Sequence, residues 1–179
     1  MFDPLAEVVT LLQPCASVSK IVSGAGAWRV RRTETGQPFY CAILEGSARL
    51  TVAGQPTIIL LANDFVLIPQ ACDFTMASVA PMADDAPDTM PVQLRPRDIR
   101  VGTPDVPADV QLLIGHCTFG SPDAALLVSL LPQLLHVRSE RRLTTLVELV
   151  TEEARAQRPA RDVILGHLLQ VLFIEALRS

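Results

Sequence analysis

Residues 47–53, SARLTVA, set apolar Ala48, Leu50 and Val52 in alternation with polar Ser47, Arg49 and Thr51. A period of two predicts a strand with one buried face. Gly46 and Gly54 punctuate its two ends. Related runs predict further strands at 27–32 (AWRVRR) and 39–44 (FYCAIL). The stretch 58–69, IILLANDFVLIP, reads as two apolar strands around Asn63-Asp64, whose short polar side chains favour a turn; Pro69 closes it. A short helix is expected over 4–13, and 110–119, VQLLIGHCTF, returns to strand. Short strands at roughly 8–12-residue spacing predict a sandwich or barrel.

The period changes after residue 120. A short helix is expected from Pro122 to Leu131, stopped near Pro132. Ser139 is the expected N-cap of a second helix reaching about Gln157, with Leu143, Leu146, Val147 and Val150 at helical spacing. Arg158-Pro159 breaks the chain before a last helix from about Ala160 to Leu177. Its apolar residues wrap most of the circumference, so it is expected to pack on its own domain and on a second subunit.

Between these regions, residues 80–109 hold six of the 14 prolines, with Asp84, Asp85 and Asp88 ahead of Arg95, Arg97 and Arg100. Proline removes backbone donors and resists both helix and central strand. The segment is expected to be a long flexible loop, or a flap over the mouth of a barrel.

Composition narrows the function classes. The chain of 179 residues is 49% hydrophobic, only 19% charged, and carries a net charge of −4. Phosphate neutralisation drives nucleic-acid binding, so this chain is a poor candidate for touching DNA itself. The four cysteines, Cys15, Cys41, Cys72 and Cys117, lack CxxC spacing and read as reduced thiols in a cytoplasmic protein. The N-terminus has no basic region of a signal peptide, and the apolar 163–177 segment is broken by His167, Gln170 and Glu175, so no membrane span is expected.

Candidate chemistry is sparse. Of the three histidines, His136 is expected at a helix end and His167 as a packing residue; His116 alone lies on a predicted strand. One histidine cannot build a histidine-rich metal centre, though Cys41, Cys72 or Cys117 could join it. There is no GxSxG elbow and no phosphate-binding lysine loop, and no nucleophile–base pair is evident. No cofactor, metal or catalytic residue is therefore assigned.

The ordered set DPLAEVVTLLQP, a Trp strand, FYCAILEGSARLTVAG, LANDFVLIPQACDF, LLIGHCTFGSPDAALLVSLLPQLLHV and RDVILGHLLQVLFIEALR resembles the N-terminal, cupin-type sensor domain of AraC/XylS-family transcription regulators. The resemblance covers nearly the whole chain apart from 80–109. It implies a mainly β, α+β fold: a cupin-like jelly-roll barrel over 1–119, then a helical dimerisation segment over 120–179. It also implies a C-terminal DNA-binding domain with two helix-turn-helix motifs, which is absent from this chain, so the chain is expected to be a sensor half that meets DNA only through that domain. Many relatives carry histidine where Cys41 and Phe74 stand, and cysteine where Ile114 stands. An interior so changed suits an unidentified apolar small-molecule effector, or a filled core.

The expected site is Trp28, Cys41, Phe74 and His116 for the effector, with Ile164, Leu165, Leu168 and Leu172 forming a homodimer interface. A stand-alone metal-dependent cupin enzyme, isomerase or oxygenase, is the alternative. A redox sensor working through Cys41, Cys72 or Cys117 is the third reading.

Overall fold

A computed structural model describes residues 4–33, 37–70 and 72–179. In chain order it forms α1 (Pro4–Leu12), β1 (Pro14–Ala25), β2 (Arg29–Arg32), β3 (Phe39–Glu45), β4 (Ser47–Val52), β5 (Ile58–Leu61), β6 (Phe65–Ile68) and β7 (Phe74–Ser78). It continues through β8 (Val92–Arg95), β9 (Asp98–Gly102), β10 (Val110–Phe119), α2 (Ala124–Ser129), β11 (Leu135–Val137), α3 (Arg141–Arg155) and α4 (Arg161–Arg178).

The strands make two facing sheets. The larger runs β11-β6-β3-β10-β1-β9-β8, the smaller β2-β7-β4-β5. All pairings are antiparallel except β1 with β9. The alternation in β3 decides the layering. Phe39, Cys41 and Ile43 point between the sheets, where they meet Leu50, Val52, Leu60, Phe74 and Met76 of the smaller sheet. Tyr40 and Ala42 point the other way, into a second core shared with the helices. A strand buried on both faces reads as a continuous apolar run, which is why FYCAIL shows so little alternation. In β4, by contrast, only Ala48, Leu50 and Val52 are buried, and the other face meets solvent.

The helices cover the outer face of the larger sheet. Leu143, Val147 and Val150 of α3 and Leu165, Leu169, Leu172, Phe173 and Ala176 of α4 pack onto Leu67, Leu113 and Cys117. Buried Glu175 clips α4 to α3 through Arg142 (2.8 Å) and also meets Arg178 (3.2 Å).

Several expectations need correction. Strand β1 was not anticipated, because Ser19, Ser23 and Gly24 dilute its apolar pattern and a register shift between Ala16 and Ser19 breaks its period. The 80–109 segment is not wholly loop: it contains β8 and β9, and β9 adds to the larger sheet beside β1. Helix α3 is capped by Glu140, whose carboxylate accepts a hydrogen bond from Leu143 N (2.9 Å), and not by Ser139. Ser139 sits at φ 45°, whereas an N-cap needs extended backbone. His136 lies on β11, not at a helix end, and its Nε2 is 3.1 Å from Asp64 Oδ2. His167 is exposed on α4 rather than packed. Among the described residues no helix is long and apolar enough to cross a membrane.

Candidate functional site

Trp28 is buried just ahead of β2. Its backbone N–H donates to Ser78 Oγ (3.0 Å), and its carbonyl accepts from Ser78 N (2.9 Å). The indole lies over Gly24, where any Cβ would stand 2.7 Å from Nε1, so a larger residue there would expel the ring. The position of Trp28 thus depends on a glycine in β1 and a serine at the end of β7.

Around this indole the sheets leave a cavity of about 50 Å³. Phe39, Phe74, Met76 and Leu112 line it, Arg32 stands at its edge, and Pro91, Ile99 and Val101 of the 80–109 segment complete the wall. A water occupies about 30 Å³ and a ligand pocket typically about 300–1,000 Å³, so the interior is nearly filled. Its most distinctive polar atom is Trp28 Nε1, buried and without a hydrogen-bond partner among the described residues. A buried donor left unpaired costs stability, and an incoming acceptor would remove that cost.

The four expected effector residues are only partly brought together. Trp28 and Phe74 share the cavity. Cys41 lies in the same inter-sheet core but does not line it. His116 pairs with Phe39 across β10 and β3, and its ring meets that of Phe39 edge-on at 5.7 Å. Phe39 lines the cavity and lies 4.5 Å from Phe74, so its ring stands between His116 and the cavity. The sequence reading missed Phe39 and Met76, although alternation with Cys41 and Phe74 places both on the inward faces of their strands. It also missed Pro91 and Ile99, whose place on the wall depends on where the 80–109 segment folds.

Burial pushes the thiols of Cys41 and Cys117 up from 9.0 to about 12. A reactive cysteine needs a depressed value, so neither suits a redox sensor. Among the described residues no group of three or more His, Cys, Asp or Glu side chains is placed to hold a metal ion.

On the helix side of the larger sheet, Ser19, Gly115 and Tyr40 are lateral neighbours across β1, β10 and β3. The Tyr40 ring crosses Gly115, where an added Cβ would stand 2.3 Å from the phenol oxygen. Burial pushes the Tyr40 phenol up, as do Cys117 and, least, Cys41. Ser19 lies close enough to oppose this slightly, yet Ser19 Oγ and Tyr40 OH do not meet in hydrogen-bond geometry, and both are buried without partners.

Residues 3–179 match the model of a family described as cupin. The chain belongs to the cupin family. Two Streptomyces proteins described as AraC-like transcription regulators resemble this cupin over 98% of its length: one from S. lividans at 28% identity, one from S. antibioticus at 27%. The cupin spans 59% of each, about three fifths of their length. Apo ToxT K231A from Vibrio cholerae strain SCE256 superposes with a TM-score of 0.50 at 11% identity, over 88% of this cupin and 53% of that chain. At that identity the likeness concerns the fold alone: two facing sheets with helices appended.

Proposed function

We propose that this cupin is the effector-sensing and dimerisation module of a DNA-binding transcription regulator and is not an enzyme. The observation that carries the reading is the unpartnered Nε1 of Trp28, a residue that lines a mainly apolar inter-sheet cavity. Its homology to AraC-like regulators, of which it spans three fifths, supports the regulatory role. DNA contact would belong to a further domain of such a regulator.

The effector is a small, mainly apolar molecule with one hydrogen-bond acceptor. It enters beside Trp28 and Phe74, takes the indole N–H, and parts the sheets to make room. Only a ligand with different affinity for the closed and opened arrangements can bias the equilibrium between them, and a 50 Å³ resting cavity meets that condition. Displaced Pro91 and Ile99 move the β8–β9 hairpin. Arg97 in its turn is bonded to Asp162 at the start of α4 (3.0 Å), which carries the movement to the helices. Dimerisation uses the outer face of α4. Leu165 and Leu172, only 5% and 2% exposed, belong to the chain's own core, and Leu168 packs against it. The free face is instead Val163 (60% exposed), Ile164 (45%) and Val171 (48%).

Trp28 is the chain's sole tryptophan, so its emission reports the cavity directly. Titration with a panel of small apolar alcohols and ketones should yield at least one saturable emission shift, lost when Val30, which also lines the cavity, is changed to fill it (Val30→Phe). An effector that alters oligomeric state without moving Trp28 emission would relocate the site. The regulatory role is tested separately, by fusing the chain to a DNA-binding domain that requires dimerisation. A reporter that never responds, with or without the effector, would sink it.

A further inference from the structure

A second and larger recess lies on the opposite side of β1 from Trp28. It is a cleft of about 670 Å³ between the β8–β9 turn and the α3–α4 elbow. Five arginines line it (Arg95, Arg97, Arg155, Arg158 and Arg161) against two aspartates, Asp98 and Asp162. A third of the basic residues of an acidic chain thus converge on one cleft. Asp162 bonds Arg97 (3.0 Å) and stands 3.5 Å from Arg161, and these guanidinia hold its carboxyl below the usual carboxylate range. Helix α4 starts here from Ala160 with no side-chain cap; the Arg161 and Val163 N–H groups turn back to Arg158 O and Ala160 O, and the positive end of the helix dipole adds to the field of the cleft. The floor supplies an independent sign of a missing ligand. Ser19, 1% exposed, lines the cleft, and its hydroxyl has no hydrogen-bond partner among the described residues. Ile21, Pro96, Ala154 and Val163 add apolar wall.

We infer that this cleft binds a small organic anion, an oxyanion head of carboxylate or phosphate on a short apolar body, at a site separate from the inter-sheet cavity. Planar guanidinium forks match both heads. The anion competes with Asp162 for Arg97 and Arg161, and the Ser19 hydroxyl donates to it or to a water it holds. Because those arginines sit on the β8–β9 turn and on α4, the anion bridges the sheet to the helices. The inference stands whether or not an effector enters beside Trp28.

Calorimetric titration of the chain with inorganic phosphate, phenyl phosphate and benzoate tests it. The last two share a ring and differ in head group, so the tighter of them identifies the head, and either result supports the site. The expected result is one site per chain, weakened by salt, with affinity falling about tenfold or more in Arg97→Gln/Arg161→Gln. Ser19→Ala should also weaken binding. If the double variant does not fold, Arg95→Gln/Arg158→Gln, at exposed positions, gives the same comparison. Val30→Phe, which fills the effector cavity, should leave anion binding unchanged, which separates this site from that cavity. The inference is overturned if none of the three binds at millimolar concentration, if the arginine variants bind as the parent does, or if Val30→Phe abolishes binding while circular dichroism is unchanged.

Discussion

Gly115 has no side chain because Tyr40 already occupies the space above it. Gly115→Ala puts a Cβ 2.3 Å from the phenol oxygen, in a core where backbone and ring have little room to yield. The expected loss is about 1–3 kcal/mol, read as a lower urea midpoint. The two buried thiols behave in a graded way with pH. Each has a folded value near 12 against 9.0 when unfolded, so the folded state holds the proton more tightly. Their contribution is complete below pH 9 and is lost as pH rises from 9 towards 12. Between pH 8 and 10 the chain should lose stability on the order of 1 kcal/mol per thiol, measured by denaturation at both values. In the same range exposed Cys15 should react with a thiol reagent at once, and Cys41 and Cys117 only on unfolding. Rapid labelling of Cys41 in the native chain would contradict the packing described.

At the scale of elements, β11 illustrates how a short edge strand is held. It has three residues, and its anchor is the pair between His136 Nε2 and buried Asp64 Oδ2 (3.1 Å). Asp64 also accepts from Leu61 N (3.0 Å), so His136→Ala leaves the carboxylate half satisfied. A loss of about 1–3 kcal/mol in thermal or urea unfolding is expected. Helix α4 separates two roles that its sequence blends. Residues 165, 169, 172, 173 and 176 recur at helical spacing and face the sheet, while Val163, Ile164 and Val171 face outward. Ile164→Asp or Val171→Asp should therefore leave circular dichroism intact and convert a dimer to monomer by light scattering. Leu172→Asp should cost the fold itself, because it buries an unpaired charge. A Val171→Asp chain that remains dimeric would remove the α4 interface.

Across the whole molecule, stability should be graded from the centre of the larger sheet to its edge. Strand β3 lies between β6 and β10 and is buried on both faces; β8 is an edge strand exposed along its length. Hydrogen exchange should be slowest at 39–43 and 112–117 and fastest at 92–95. Equal protection of β8 and β3 would mean that something covers the β8 edge. The gradient suits a sensor, since the wall that closes the inter-sheet cavity comes from the less stable side.

The strands at 39–44, 47–53, 58–69 and 110–119 and the closing helices were legible from local pattern, because a half-buried strand or helix writes its period into the chain. The ordered blocks likewise pointed to the cupin family. Composition and the lack of a histidine cluster already turned attention from metal chemistry towards binding. What local pattern could not carry was anything settled by distant contact. Strand β1 exists through pairing with β10 and β9, not through its own apolar period. The proline-rich segment becomes sheet and cavity wall because β1 offers it an edge. Leu165 and Val163 differ little as residues, and only the position of the sheet buries one and exposes the other. Of the four expected effector residues, packing gathered Trp28 and Phe74 and set Cys41 and His116 aside. Five arginines from two separate stretches of chain share a cleft for the same reason: convergence is a property of the folded surface, and sequence order does not encode it.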